Sequence, residues 1–379
     1  MLTPSFDPII GGTETFVRDV TAKLNASAAR VDVMTFNMDK KWKPKWEWSI
    51  SESDGYTIYR IPGINPFNMS KYAGRLTKLH VLPYPVLNDH VKNYDVLHFH
   101  DDVDLTLPLA CRFVDKPKIL HCHTLGAQFD SYSKNRLAKG LLAKIVDIYI
   151  VASASMRHLL LRLGIKPDRI RIVPTGVDTE LYTPNNSAKM DDLVLFVGRL
   201  EERKGLHILL ESLDYLQSHV KIRIIGPSHD NDYSRKISDL LLEKSKKHDV
   251  SYLGPLDRKE LIEWFQKASL FVIPSTSEKN APFGIAPIEA LACGTPVVAS
   301  DVEGIGDLIR NQENGILVAP RSPQELANAI EYLINDPILR ERLGQRGRQI
   351  VEEKFSMNAI ARQLLEIYQQ MATFSRERT

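Results

Sequence analysis

The sequence predicts an α/β protein made of two doubly wound, Rossmann-like domains. Short apolar strands alternate with amphipathic helices along the whole chain, the pattern of parallel sheets covered by helices on both faces. The alternation runs in two series, separated by a polar segment without periodicity. At 379 residues the chain also exceeds what one hydrophobic core usually holds.

In the first series the strand candidates are VDVMTF (31–36), YTIYRI (56–61), DVLHF (95–99), KILHC (118–122), DIYIVA (147–152) and IRIV (170–173). In the second they are LVLFV (193–197), KIRII (221–225), SYL (251–253), LFVI (270–273), PVVA (296–299) and ILVA (316–319). Each is a short run rich in β-branched and aromatic residues. Helical stretches such as HILLESLDYL (207–216) and RKELIEWFQKA (258–268) lie between them. The opening strand is the exception. Only MLTPSF precedes the DPIIGG loop, so either that strand is short or the true start lies upstream. The polar segment YTPNNSAKMDD (182–192) contains Pro and Asn and suits a boundary. The expected domains are 1–183 and 184–355. A last helix, within 356–379, has no strand after it and is expected to cross back and brace the first domain. The chain has no internal repeat, low-complexity tract or long charge run.

Composition excludes several classes. The chain is 43% hydrophobic and 25% charged, ordinary for a globular protein, and its net charge of +2 gives no reason to expect a nucleic-acid partner. No apolar run reaches the roughly 18 to 20 residues of a membrane span. The best candidate, LLAKIVDIYIVA (141–152), carries Lys144 and Asp147. The N-terminal residues lack the basic and apolar regions of a secretory signal. The expected location is cytoplasmic, with the inner face of the membrane as a variant of it. Cys111, Cys122 and Cys293 are far apart and form no C-x-x-C pair, so they are expected to be small buried residues in a reducing compartment. No G-x-G-x-x-G follows any strand, which argues against a dehydrogenase.

Two stretches in the second series carry chemistry. FVGRLEERKG (196–205) ends a strand at Gly198 and places Arg199 and Lys204 five positions apart at its carboxyl end, where open parallel sheets bind ligands. A guanidinium and an ammonium so placed can hold a diphosphate and neutralise its charge. About 80 residues on, APFGIAPIE (281–289) follows another strand and leads into a helix that ends at Gly294. A Gly-containing turn that opens a helix presents unpaired N–H groups suited to phosphate oxygens. One turn further on, Glu289 could accept hydrogen bonds from sugar hydroxyls. The layout suggests a nucleotide diphosphate site.

GRLEERKG, PFGIAPIEALACGTPVV, IVPTGVD and GPLDRKELIEWFQKASLFVIPS come in the order and spacing of a known family. The chain resembles, over essentially its whole length, the GT-B glycosyltransferases of the large retaining E-x7-E family, the group 1 type. The resemblance implies two domains facing a deep cleft, with a nucleotide diphosphate sugar donor on the second and the acceptor mainly on the first. It implies that Arg199 and Lys204 bind the diphosphate and Glu289 the ribose hydroxyls. Backbone amides of Gly284, Ile285 and Ala286 would approach the phosphates, and Gly11 and Gly12 would close over the donor. His123 would contact the transferred sugar near the reacting carbon. The departure is at the first Glu of E-x7-E, where this chain has Ala281. A methyl group accepts no hydrogen bond. Glu278, three residues upstream, could reach in instead, although a solvated loop residue is the plainer expectation. Smaller departures are Thr175 in PTGVD, and IIGPSHDNDY in place of a Gly-x-Gly turn.

HFHDD and HCHTLG put His98 with His100, and His121 with His123, at i, i+2 spacing, so each pair shares a strand face. With Asp101 or Asp102 these could in principle bind a metal, but neighbouring strand ends bring such residues together without one. The expectation is no metal and no cofactor, with His123 facing the cleft. DVD (102–104) matches the D-x-D metal motif of the other glycosyltransferase fold and is taken as chance on this one; with Arg199 and Lys204 expected to neutralise the leaving diphosphate, no Mg²⁺ is required. KKWKPKWEW (Lys40 to Trp48) combines lysines and tryptophans in one loop. It is either a structured loop with exposed lysines or a peripheral membrane contact, which would suit a lipid-linked rather than a glycan acceptor. The expected function is transfer of a sugar to an acceptor hydroxyl with retention of configuration. The alternatives are an epimerase acting on nucleotide sugars and a non-catalytic binding protein.

Overall fold

The computed structural model describes residues 1–8, 12–38, 45, 47–53, 55–62, 87–100, 107–108, 111–123, 144–228, 232–276 and 284–376, the side chains of Asn88 and 374–376 excepted. The chain forms two compact units, Met1–Thr175 with Met357–Thr379, and Gly176–Ser356. The segment 182–192, expected as the boundary, lies inside the second unit. Tyr182 and Val177 pack in that unit's core, which explains why a polar stretch there is not a linker.

In the first unit the strands are β1 (Leu2–Thr3), β2 (Val33–Phe36), β3 (Ser49–Ser53), β4 (Tyr56–Ile61), β5 (Leu97–His100), β6 (Lys118–Cys122), β7 (Ile148–Val151) and β8 (Ile170–Ile172). They form one sheet in the order β3-β4-β2-β1-β5-β6-β7-β8. All its pairs are parallel except β3–β4, which is antiparallel. At two residues β1 is the short strand that the sequence allowed for. It still sits centrally, pairing Leu2 with Met34 on one side and with Phe99 on the other. β3 has no counterpart in the sequence reading, because SISES offers one apolar residue, Ile50, and that residue is exposed. It is an edge strand held by its ladder to β4.

The described helices of this unit include α1 (Gly12–Asn25), α2 (Leu87–Val91) and α3 (Ala154–Arg162). Ser153 caps α3 by accepting from the Met156 N–H. Phe16, Val17, Val20 and Leu24 of α1 are buried.

The second unit's strands are β9 (Met190–Val197), β10 (Lys221–Ile225), β11 (Asp249–Gly254), β12 (Ala268–Ile273), β13 (Val297–Ser300) and β14 (Gly315–Val318). Their order is β11-β10-β9-β12-β13-β14, with every pair parallel. Around them lie α4 (Leu206–Ser212), α5 (Asp232–Lys244), α6 (Arg258–Lys267), α7 (Ala286–Ala292), α8 (Pro323–Ile334) and α9 (Pro337–Ile350). Local signals set the helix starts. Asp257 and Glu260 form a capping box on α6. Ser322 and Asp336 cap α8 and α9, each ahead of a Pro in the first turn.

The last helix, α10 (Met357–Arg376), belongs to the first unit. Met357, Ile360, Ala361, Leu364 and Ile367 recur at helical spacing and share a buried cluster with Phe16, Val17, Val20 and Leu24 of α1. Among the described residues, no helix is long and apolar enough to cross a membrane. Cys111, Cys122 and Cys293 are buried thiols, not disulfides, as their spacing suggested.

The turn after β9 depends on one glycine. Gly205 has φ +72°, and a Cβ there would lie 1.7 Å from the Pro274 carbonyl oxygen. Gly164 has a similar φ of +86°, but an added Cβ would meet nothing within 4 Å. Gly164→Ala is therefore expected to cost backbone strain alone, about 1 to 2 kcal/mol. Gly205→Ala adds a clash with backbone and is expected to cost about 3 kcal/mol or more. Urea unfolding of the two variants, compared with the parent, checks the difference.

Candidate functional site

Each sheet reverses its strand order once. In the second unit β9 lies between β10 and β12, so the chain leaves it first to one side and then to the other. Such a reversal leaves a crevice at the carboxyl ends of the flanking strands. The residues singled out from the sequence come from the segments that follow β9 and β12.

After β9 the chain passes Gly198 and Arg199 and makes a 3-10 turn, Glu202–Lys204, before α4. Glu201 is shared by two guanidiniums, Arg199 Nη1 at 2.9 Å and Arg203 Nε at 2.6 Å. The segment after β12 is stitched to this turn. The Thr276 N–H donates to the Arg203 carbonyl at 3.0 Å, and the Thr276 hydroxyl to the Glu202 carbonyl at 3.2 Å. Lys204 is half-buried, and its ammonium has no carboxylate within ion-pair distance among the described residues. Burial, followed by the charges of Arg203 and Arg199, lowers its pKa to about 8.

Lys204 approaches the start of α7. Its Nζ lies 3.4 Å from where a Cβ on Gly284 would stand, and Gly284 has φ +82°. Ile285 precedes the helix, which opens at Ala286 with Pro287 in its first turn. The segments bearing Arg199, Lys204 and Gly284 to Ala286 are thus brought together. Glu278 and Ala281 fall in 277–283, outside the described residues.

Glu289 is 7% exposed, in the first turn of α7. A carboxylate is favoured there by the helix dipole. The Tyr182 hydroxyl donates to its Oε1 at 2.6 Å. Burial, then the charge of Glu289, pushes the Tyr182 pKa up, so the phenol keeps its proton and remains a donor. The Arg258 guanidinium stands 5.6 Å from the centre of the Tyr182 ring. Arg348 of α9 donates to the Ala292 carbonyl at the end of α7 and to the Thr179 carbonyl, at 2.6 and 2.9 Å. Sequence reasoning missed Tyr182 because it lies 107 positions from Glu289 in a segment that looks like a linker. Its one signal was an aromatic residue beside a polar run.

In the first unit the reversal lies at β1, between β2 and β5. His98 and His100 of β5, and His121 of β6 with His123 just after it, share one sheet face with Phe16 of α1. His100 pairs in register with His121. His123 stacks on His121 with ring centres 4.3 Å apart, and its Nε2 is 3.1 Å from His100 Nδ1. His98 Nδ1 is 2.6 Å from the Tyr368 hydroxyl of α10. Burial lowers the pKa values of His98, His100 and His121 well below the usual range, and that of His123 to about 4.

Gly12 is the first residue of α1 and is exposed, with nothing within 4 Å of an added Cβ, so packing does not require glycine there. Gly11 lies outside the described residues, as do Asp101, Asp102 and most of Lys40 to Trp48. Trp48 is described. It stacks on His90 with ring centres 4.9 Å apart and packs against the unit's core, so it is not an exposed anchor.

Residues 10–181 match the family described as Glycosyltransferase Family 4, and residues 178–350 that described as Glycosyl transferases group 1. A D-inositol 3-phosphate glycosyltransferase of Corynebacterium aurimucosum is 30% identical, the match covering 73% of this chain and 72% of the relative. The chain belongs to the group 1 glycosyltransferases. Two solved structures align with nearly all of this glycosyltransferase. Sucrose-phosphate synthase from Thermosynechococcus elongatus matches with TM-score 0.74 and 26% identity, over 97% of this chain and 98% of that one. Anabaena HepE in complex with UDP-glucose, at 20% identity, shares the fold with TM-score 0.74 over 97% and 99% of the two chains.

For this glycosyltransferase the buried Tyr182–Glu289 contact sets a stability prediction. Tyr182→Phe keeps the ring and removes the donor to a buried carboxylate. It is expected to lower stability by about 1 to 3 kcal/mol. Urea unfolding checks this, and an unchanged midpoint would show that the contact contributes nothing to the fold.

Proposed function

We propose that the enzyme transfers a sugar from a nucleoside diphosphate sugar to an acceptor hydroxyl, with the donor's diphosphate held in the second unit. The observation that carries this reading is the approach of the Lys204 ammonium to Gly284. A half-buried cation with no carboxylate partner among the described residues, beside a glycine turn that opens a helix, suits a ligand bearing phosphate charge. Arg199 stands on the same turn, and its one ion pair among the described residues is with a Glu201 that Arg203 also holds. Glu289 is the proposed partner of the ribose hydroxyls, with Tyr182 fixing its carboxylate. HepE, of the same fold, holds UDP-glucose, a donor of the class proposed here.

In the proposed chemistry the acceptor oxygen bonds to the anomeric carbon as the bond from that carbon to the β-phosphate oxygen breaks. Arg199 and Lys204 stabilise the negative charge that develops on the leaving diphosphate. Retention by double displacement needs a carboxylate at the anomeric carbon. Ala281 supplies none, so front-face attack is proposed, with the leaving phosphate oxygen taking the acceptor's proton. His123 is proposed as the imidazole that contacts the transferred sugar.

Lys204→Ala and Arg199→Ala are each expected to weaken donor binding by about tenfold to a hundredfold, the cost of one charge-assisted contact. Titration calorimetry with a panel of nucleoside diphosphates measures this, and wild-type affinity in both variants would remove the site assignment.

The lowered pKa of Lys204 gives a pH dependence. A bound diphosphate favours the ammonium, so binding takes up a proton once the free lysine has lost it, and affinity falls as pH rises through about 8. Lys204→Arg keeps its charge there and should flatten the decline.

Ala281→Glu restores the carboxylate of the family pattern. It is expected to raise turnover or to shift sugar preference, unless Glu278 already serves, in which case Glu278→Ala is the damaging change. Initial rates of the parent and both variants over a donor panel decide between these outcomes. Rates indifferent to both changes would show that neither position touches the sugar.

A further inference from the structure

His98, His100, His121 and His123 form a stacked cluster on one sheet face of the first unit. His98, His100 and His121 are 2%, 1% and 1% exposed. His98 Nε2, His100 Nε2 and His121 Nδ1 are buried with no hydrogen-bond partner among the described residues. Leaving one buried polar atom unpaired costs about 1 to 3 kcal/mol, and three on one sheet face is costly. Phe16 closes the face and offers no polar atom.

The geometry points to a buried divalent metal site, of the zinc type, with His98, His100 and His121 as its three protein ligands. One ring nitrogen from each lies within 4.8 Å of those of the other two. A tetrahedral Zn²⁺ with Zn–N of about 2.0 to 2.1 Å needs edges of about 3.4 Å, a contraction within reach of side-chain rotation. The strand pattern supplies the set. His98 and His100 alternate on one face of β5, and His121 is the register partner of His100 on β6. Three histidines with a fourth position left to water or hydroxide is a known zinc arrangement.

The outer contacts fit as well. A ligating histidine usually donates its other ring N–H to a fixed acceptor. His98 Nδ1 has the Tyr368 hydroxyl at 2.6 Å, and His100 Nδ1 has His123 Nε2 at 3.1 Å. If each Nδ1 carries the proton, both Nε2 lone pairs are turned to the metal. A metal bound there ties β5 to β6, holds α10 through Tyr368 and fixes the ring of His123 through His100. Its ligands belong to the first unit and the diphosphate residues to the second, so donor binding by Arg199 and Lys204 can fail while this site stands, and the reverse.

The full chain, produced with Zn²⁺ supplied and then dialysed, is assayed by elemental analysis. About one equivalent of zinc per chain is expected. His98→Asn and His121→Asn, checked for folding by circular dichroism, should each lower retained zinc by about tenfold or more. His207→Asn, in the other unit, should retain it. Chain refolded with Co²⁺ should show the intense visible bands of a four-coordinate ion, and this reading stands alone where a variant does not fold. Less than about a tenth of an equivalent after refolding with zinc overturns the proposal. Equal retention by both site variants, or the weak spectrum of six-coordinate Co²⁺, overturns it as well.

Discussion

In a parallel sheet, right-handed crossovers carry the chain steadily to one side, and a reversal of direction leaves two neighbouring strands with connections running away from each other. Each unit makes that reversal once, at β9 in the second and β1 in the first. The other features follow from it. The carboxyl ends flanking the reversal are where helices do not cover the sheet, so polar and charged side chains can collect there. Arg199 and Lys204 stand at one such place, whereas the histidine cluster of β5 and β6 is covered by Phe16 of α1 and Tyr368 of α10.

The two collections handle burial differently. In the second unit charged groups are held by partners of opposite charge or by hydrogen bonds. Glu201 holds two guanidiniums and Tyr182 donates to Glu289, while Lys204 is left with a depressed pKa and no carboxylate partner among the described residues. In the first unit burial keeps the imidazoles neutral, which is the form that coordinates a metal. One arrangement stores positive charge and the other stores lone pairs.

Much of the fold was legible because a strand buried on both faces must be apolar along its length. VDVMTF, KILHC and LFVI announce themselves that way. β3 did not, because an edge strand with one sheltered side needs only a ladder partner and SISES has little else to offer. β1 was barely legible, since two residues carry no period. In the candidate site, Arg199, Lys204 and Glu289 could be found because their motifs are local. Tyr182 could not, since its pairing with Glu289 spans 107 positions and depends on how a polar-looking segment packs. The shared face of each histidine pair followed from strand alternation. The meeting of His100 with His121 depends on register between strands, which neither pair encodes alone.

The placement of α10 bears on the order of folding during synthesis. The first unit's sheet is translated early, but the helix that covers Phe16, Val17 and Val20 is encoded after the entire second unit. On the ribosome those apolar side chains have the sheet on one side but lack α10 on the other while Gly176–Ser356 emerges and can fold as an unbroken stretch. At roughly 5 to 20 residues per second that wait lasts on the order of ten seconds or more, long enough for chaperone engagement. The unit translated first is therefore completed last.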